Sequence, residues 1–537
     1  MIFSHITQQA GQVASISQTV PYQADPLACY QHLAAQSRDS LLLESAEIDS
    51  KDNLKSLMLL DAALRIECNG GQVTVEAITD NGKLLLPFLR DKLQNKASLS
   101  MADNSSELIC HFSRPDPLLD EDSKLIAANP FDVLRVLQHE LFSHSNEPFA
   151  IFLGGVIGYD MVATVEQLPE VPTGDNRCPD YLFYVAETLL VLDHQAQQSR
   201  LIGNIFCGEG AMANCFVVGN RLEQLSQMLT EQNTTAAAQH KTQSLLQEQS
   251  QQASAVKVDI NDADFIAQVE QLKENIIAGD VFQVVPSRCF SLPCANPLAA
   301  YAKLKQQNPS PYMFFLRDRE FTLFGASPES ALKFDAQSRQ VEIYPIAGTR
   351  RRGFNTQGQI DRDLDSRIEL ELRQDDKEKA EHLMLVDLAR NDVARISVPG
   401  SRYVKELLKV DRYSYVMHLV SRVVGTLKPQ LDALHAYQAC MNMGTLVGAP
   451  KVRAAELIRQ VEGKRRGSYG GAVGYLSGNG DFDSCIVIRS AYVEAGKAYI
   501  QAGAGVVYDS IAKAEADETR SKAQAVVTAI LAAGGAQ

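Results

Sequence analysis

The sequence predicts an α+β protein built on largely antiparallel sheets. Helix-period segments alternate along the chain with short strand-like runs, and Gly-rich turns of hairpin type follow many of those runs. No GxGxxG follows a strand and no Gly-rich loop ends in GK[ST], so dinucleotide-binding and P-loop folds fail at the motif level. A chain of 537 residues is long enough for three or four domain-sized units.

In the N-terminal region, residues 1–230, the strand-like runs are "LLLPFL" (Leu84–Leu89), "YLFYVAETLLVLDH" (Tyr181–His194) and "RLIGNIF" (Arg200–Phe206). "PFDVLRVLQHELFSH" (Pro130–His144) has helical spacing. Its two histidines, His139 and His144, stand five apart and share no helix face, so a zinc-protease reading fails. Residues 231–255, "EQNTTAAAQHKTQSLLQEQSQQASA", are rich in Gln, Ala and Ser and read as a connector; a long surface helix is the alternative. From residue 256 to 537 the texture becomes helix, then strands. "DFIAQVEQLKENIIAGD" is a helix ending near Gly279, "VFQVVPSRCF" a strand, and "YSYVMHLVSRVVG" and "YGGAVGYLS" are later strands.

The composition is that of an ordinary globular chain, 45% hydrophobic and 22% charged. A net charge of −14 argues against nucleic acid as partner but not against a small anion, since a local Arg/Lys cluster can reverse the field inside a pocket. The N-terminus lacks a basic stretch followed by an apolar run, and no apolar run is long enough to span a membrane. Ten scattered cysteines without a CxxC pair suit small buried side chains in a reduced cytoplasm.

Two carboxylate pairs carry the first chemical signal. Glu378 and Glu381 share one face of the helix expected over "DDKEKAEHLMLVDLARND" (Asp375–Asp392), with Leu383, Leu385, Val386 and Leu388 available for packing. Glu515 and Glu518 repeat the spacing in "AKAEADETRSKAQAVVTAILAA". Taken singly, each pair is equally a solvated helix face. Brought together they suit Mg²⁺, which accepts one or two carboxylates and keeps room for an anionic substrate. Anion-binding material surrounds them. "QAGAGVVYDS" lets backbone amides of Gly503 and Gly505 approach a ligand closely, and Arg489 in the apolar run "CIVIRSA" is either a structural ion pair or a carboxylate anchor. Lys451 and Arg453, after the Gly-Thr turn of "GTLVGAPKVRAAELI", read as surface charges.

Five ordered strings, "PIAGTRRRG", "DDKEKAEHLMLVDLARND", "GTLVGAPKVRA", "GSYGGAVGYL" and "GAGVVYDS…EADET", resemble the chorismate-utilising enzymes, most densely from Asn261 to Ala523. The resemblance implies four layers, α/β/β/α, with two large, orthogonally packed, mostly antiparallel sheets. It implies Mg²⁺ held by Glu381 and Glu518, with Glu378 and Glu515 beside them in catalytic support. Gly348, Thr349, Tyr469, Arg489, Gly503, Ala504, Gly505 and Lys522 would bind chorismate. Glu329, in "GASPES", matches the general acid for a departing C4 hydroxyl, which requires a raised pKa. His418 and Thr445 match residues beside the ring in the later elimination of pyruvate; from the residues alone, His418 reads as a core histidine.

Two neutral residues choose among the sister chemistries. Family members that aminate C4 carry a lysine where this chain has Ala347, and those that add water carry one where it has Gln283. An amide is no useful base, so the resemblance points to ammonia as an external nucleophile and to anthranilate as product. No Gly-x-Cys-x-Gly setting exists for making ammonia, which implies a separate glutaminase subunit and a heterotetramer of two large and two small subunits. "LLLESAEIDSKDNLKSLMLL" and "NPSPYMFFL" resemble the family's feedback segments. An L-tryptophan inhibitor would use Glu44 and Ser45 with Pro311, Tyr312 and Met313. The rival readings are a C4-aminating relative and a catalytically inactive, tryptophan-binding regulatory paralogue.

Overall fold

The computed structural model describes residues 9–35, 37–45, 54–102, 106–116, 118–236, 256–413 and 415–534. Two long strands, Lys55–Asn69 and Tyr181–Asp193, lie antiparallel and belong to two sheets at once. Their register shifts between Leu59 and Leu64, and such bulges let a pair bend out of one sheet into another.

On one side of the bend the first sheet runs through Gln198–Phe206 to Gln12–Val20. In the other direction it passes through Ser40–Glu44, Tyr312–Arg317, Thr322–Ser327, Ser490–Glu494 and Lys497–Gly503 to Ser287–Pro293. Beyond the bend the second sheet continues through Phe152–Ile157, Ala472–Ser477, Phe482–Ile486, Ser330–Asp335 and Gln340–Ile343 to Val416–Thr426. Ile346–Arg351 and Tyr403–Arg412 lie along the two edges of Val416–Thr426. All these pairings are antiparallel.

Three apolar cores establish the layering. Leu41, Leu59, Phe152, Leu182, Phe314, Leu323, Val473 and Tyr492 fill the space between the two sheets. The outer face of the first sheet packs on helices Pro26–Leu33, Ala211–Ala236, Pro297–Gln307 and Ala512–Gly534. The outer face of the second packs on Leu85–Leu93, Asp132–His139, Asp376–Ile396 and Ala433–Cys440. With both faces covered, Tyr181–Asp193 is buried at every position but its last, whereas the edge strand Tyr403–Arg412 alternates exposed and half-buried residues over most of its length.

Several local expectations change. "LLLPFL" is helical within Leu85–Leu93, because its apolar residues also fall at helical spacing: Leu85, Leu86, Phe88, Leu89 and Leu93 are all buried. The helix begun at Asp132 stops at His139. "VFQVVPSRCF" is broken at Pro286 into Gln283–Val284 and Ser287–Pro293. Leu383 is exposed rather than packed, while Leu385 and Val386 are buried.

Strands preceding and following residues 231–255 interleave: Ser40–Glu44 pairs with Tyr312–Arg317, and Phe152–Ile157 with Ala472–Ser477. The connector's first residues continue helix Ala211–Ala236; residues 237–255 lie outside the described residues. All ten cysteines are buried thiols, none of them in a disulfide. Among the described residues no helix is long and apolar enough to cross a membrane.

Candidate active site

Glu329 sits at the corner between Thr322–Ser327 and Ser330–Asp335, where the first sheet meets the second. It is 6% exposed, and its Oε1 accepts a hydrogen bond from Thr445 Oγ1 at 3.1 Å. Burial pushes its pKa up to about 8, against the opposing pull of Thr445, the Ile346 amide, Lys522 and Arg489. Glu329 is therefore protonated at neutral pH, the form a general acid requires. Arg489 stands at φ 48° and makes no ion pair among the described residues. Burial lowers its pKa, and Glu329 and Tyr413 are the groups that offset this. The guanidinium is half-buried and no carboxylate pairs with it among the described residues, which leaves its hydrogen-bond fork open to an anion.

Strand register aligns Thr349 with His418, and Thr349 Oγ1 lies 2.8 Å from His418 Nδ1. Burial and then Arg489 lower the His418 pKa to about 3, so the ring is neutral. Its Nε2 is buried without a hydrogen-bond partner. Gly348 has φ 91°, a conformation suited to glycine, and a methyl there would lie 3.3 Å from Glu378 Oε2.

The structure brings the two carboxylate pairs together. Helix Asp376–Ile396, N-capped by Asp375, carries Glu378 and Glu381; helix Ala512–Gly534 carries Glu515 and Glu518. Burial raises the Glu381 pKa, and Glu378 and Glu518 raise it further. Burial, with Glu518 beside it, pushes Glu515 up to about 7. Mutual repulsion of this kind is what a divalent cation relieves. Among the described residues no three His, Cys, Asp or Glu side chains gather as a ready cage. A Mg²⁺ site completed by water and a substrate oxygen needs only two carboxylates, so Glu381 and Glu518 fit it. Lys522 pairs with Glu518 at 2.7 Å and donates to the Gly503 carbonyl at 3.0 Å, joining the carboxylates to the glycine turn.

In that turn the Gly503 amide hydrogen-bonds the buried Tyr469 hydroxyl. The Ala504 amide donates to the Pro286 carbonyl at 3.1 Å. Of the three amides assigned to substrate, that of Gly505 alone has no partner among the described residues.

The chain matches the profile of chorismate binding enzymes over residues 94–528. It is 59% identical over 512 residues to anthranilate synthase component 1 of Vibrio cholerae, covering 95% of both chains. It is 55% identical over 516 residues to the Escherichia coli protein of the same name, covering 96% of both. The chain belongs to the chorismate-binding enzyme family, among the anthranilate synthase component 1 proteins. Its fold is similar to anthranilate synthase component I from Streptococcus pneumoniae, with a TM-score of 0.65 at 30% identity, covering 94% of this chain and 97% of that one. The menaquinone-specific isochorismate synthase of Escherichia coli shares the fold at a TM-score of 0.59 and 16% identity, covering 98% of this chain and 95% of that one.

Several residues that hold the candidate site's elements in place were missed in the sequence. Arg466 is 1% exposed and grips Glu462 with Nε at 3.0 Å. It also donates to the carbonyls of Leu446 at 2.9 Å and Val285 at 2.6 Å. Glu462 in turn accepts from the Ser287 amide at 2.8 Å. One buried pair thus fixes the loops carrying Thr445 and Gln283. In "GKRRGSYGG" Arg466 follows Lys464 and Arg465 and looks like one more surface charge. His382 is fully buried; its Nδ1 donates to the Ala347 carbonyl at 3.0 Å and its Nε2 accepts from Ser421 at 2.7 Å. Arg350 pairs with Glu378 at 2.7 Å and Asp375 at 2.8 Å. Lys451 is no plain surface charge: its Nζ lies 2.6 Å from both Asp392 and the Cys440 carbonyl.

The two walls of the expected effector site also meet. Glu44 is in register with Met313, and Ser45 Oγ donates to the Pro311 carbonyl at 3.1 Å. Glu44 is buried and bonds the Tyr301 hydroxyl at 2.5 Å and the Lys305 ammonium. The carboxylate expected to take an amino-acid ammonium therefore holds a lysine. Tyr312 reaches Asp483 at 3.5 Å. Residues 46–53 of the feedback segment lie outside the described residues.

Proposed function

We propose that the chain is the chorismate-converting subunit of a two-component lyase. It turns chorismate plus ammonia into anthranilate and pyruvate, takes its ammonia from glutamine through a glutaminase partner, and is inhibited by L-tryptophan. The observation that carries this reading is the protonated, Thr445-bonded Glu329 beside Arg489, a half-buried cation that makes no ion pair among the described residues. An acid and a cation that can anchor a carboxylate are what loss of hydroxide from a dianionic ring requires.

Arg489 and the Gly505 amide would hold one carboxylate of chorismate. Glu381 and Glu518 would hold Mg²⁺, which when bound supplies a counter-charge for the ring carboxylate. Ammonia adds at C2, the ring double bond shifts, and the C4–oxygen bond breaks as Glu329 gives its proton to the hydroxyl, which leaves as water. The nitrogen, now positive, releases a proton, and Glu329 is reprotonated. Loss of the C2 proton then breaks the C3–oxygen bond; the side chain departs with that oxygen as enolpyruvate, which takes up a proton to give pyruvate, and the ring is left aromatic. His418 is neutral with Nε2 unpaired, and two substrate carboxylates would raise its proton affinity for this stage. Ala347 offers no amine for attack, which is why the nitrogen comes from outside.

Purified chain supplied with chorismate, Mg²⁺ and ammonium salt should form anthranilate and pyruvate in equal amounts, and added L-tryptophan should suppress both. Unequal amounts, or an aminated ring that retains its side chain, would refute the lyase assignment.

A further inference from the structure

His382 stands one residue past Glu381 on helix Asp376–Ile396 and is fully buried. Both ring nitrogens are engaged: Nδ1 donates to the Ala347 carbonyl at 3.0 Å, and Nε2 accepts from the Ser421 hydroxyl at 2.7 Å. With no donor or acceptor to spare, the ring can neither hold a substrate nor move a proton. Whatever it does for the site, it does through those two partners.

The Ala347 carbonyl is the informative one. Strand Ile346–Arg351 shifts register against Val416–Thr426 between Ile346 and Thr349, so Ala347 and Gly348 fall outside the paired positions on either side. Gly348 has φ 91°, and glycine tolerates either rotation of the peptide before it at little steric cost. That rotation is therefore set by what the peptide's polar groups bond. A trans peptide points its C=O and the following N–H in opposite directions. The bond that draws the Ala347 carbonyl onto His382 thus turns the Gly348 N–H away from His382. Gly348 is half-exposed and Thr349 exposed, so a ligand can reach this turn. A methyl on Gly348 would lie 3.3 Å from Glu378 Oε2, which sets the turn beside the carboxylates of the same helix.

We propose that His382 is a positioning residue: its hydrogen bond to Ala347 holds the Ala347–Gly348 peptide in the orientation that presents the Gly348 amide to a substrate carboxylate. This rests on the reading under "Proposed function" and deepens it. The ring carboxylate of chorismate, assigned there to the Glu381 side, is the anion this amide meets. Consecutive residues of one helix, Glu381 and His382, then serve the same carboxylate, the second of them through the backbone of a neighbouring strand.

The test compares wild type with His382→Asn and His382→Gln in the full chain. An asparagine amide takes the place of Nδ1 and keeps a donor for the Ala347 carbonyl; a glutamine amide reaches the place of Nε2 and keeps Ser421 instead. Chorismate binding is measured by calorimetry with Mg²⁺ and without ammonium, so that no amination intervenes, and urea unfolding gives the stability of each protein. His382→Gln should weaken chorismate binding roughly five- to tenfold, the worth of one hydrogen bond. His382→Asn should hold it within about twofold, whichever variant is the less stable. In turnover with ammonium salt, the KM for chorismate should follow the same order while that for ammonia stays within about twofold. Equal chorismate affinity in all three proteins overturns the proposal. So does an affinity that falls in both variants in step with stability, the mark of a core histidine. If His382→Gln does not fold, His382→Leu, which offers no donor, takes its place with the same expectation. A wild-type chain that binds no chorismate overturns the functional reading and this proposal with it. A wild type that binds, with variants that do not differ, overturns this proposal only.

Discussion

Replacing Glu329 by glutamine separates what the carboxyl does for chemistry from what it does to stability. Glutamine keeps an acceptor for the Thr445 hydroxyl and nearly the same volume, but it cannot ionise or give a proton. The carboxyl moves from an ordinary 4.5 to about 8 in the fold. Below pH 4.5 it is protonated whether the chain is folded or not. Between those values the unfolded chain gives up a proton that the folded chain keeps, so stability falls as the pH rises. Above about 8 the folded carboxyl ionises as well and the loss is complete. A gap of about 3.5 pH at about 1.4 kcal/mol each amounts to about 5 kcal/mol, a large share of a typical domain's stability. Urea unfolding of both proteins at about pH 5 and pH 7 should show wild type losing about 3 kcal/mol relative to Glu329→Gln, since other groups titrate alike in both. Turnover should drop by roughly 10²- to 10⁴-fold in the variant, and wild-type turnover should fall above about pH 8. Unfolding curves that stay parallel across this range would refute a buried, protonated Glu329.

Four further outcomes follow from the geometry. Arg489→Gln should raise the KM for chorismate by roughly 10²-fold, since a charged hydrogen-bonded anchor is worth about 2–3 kcal/mol; an unchanged KM would make Arg489 structural. Glu381→Gln and Glu518→Gln should each weaken Mg²⁺ binding measured by calorimetry in the presence of chorismate, and equal affinity in all three proteins would remove the metal from this face. Lys305→Met should strengthen L-tryptophan binding by freeing Glu44, and Glu44→Gln should abolish inhibition while leaving uninhibited turnover near wild type; inhibition that survives Glu44→Gln would place the effector elsewhere. Arg466→Leu should destabilise the chain by about 3–5 kcal/mol by stranding the buried charge of Glu462, read as a lowered urea midpoint; a midpoint within error of wild type would show that charge to be otherwise satisfied.

The fold was legible where periodicity had no rival, as in the largely apolar run Tyr181–Asp193 or the capped helix Asp376–Ile396. It was illegible where an apolar run fits both periods: Leu84–Leu89 looks like a strand by composition and packs as a helix. Glu378, Glu381, Glu515 and Glu518 were findable from equal spacing on two helices, yet only tertiary structure brings those helices together. The positioning charges were hidden for the opposite reason. Arg466 and Lys451 lie in basic stretches that nothing local distinguishes from solvated surface, and their partners Glu462, Asp392 and Cys440 are fixed by burial. The pairing of Glu44 with Lys305 spans 261 positions and leaves no local trace.

The most direct test of the central claim, that an external amine rather than water or a protein lysine attacks chorismate, is isotopic. The chain is supplied with chorismate, Mg²⁺ and ¹⁵N-labelled ammonium in ¹⁸O-labelled water, and the ring products are weighed. The account predicts anthranilate carrying the heavy nitrogen and no heavy oxygen. A ring product that carries heavy oxygen, or chorismate recovered unchanged, would contradict it.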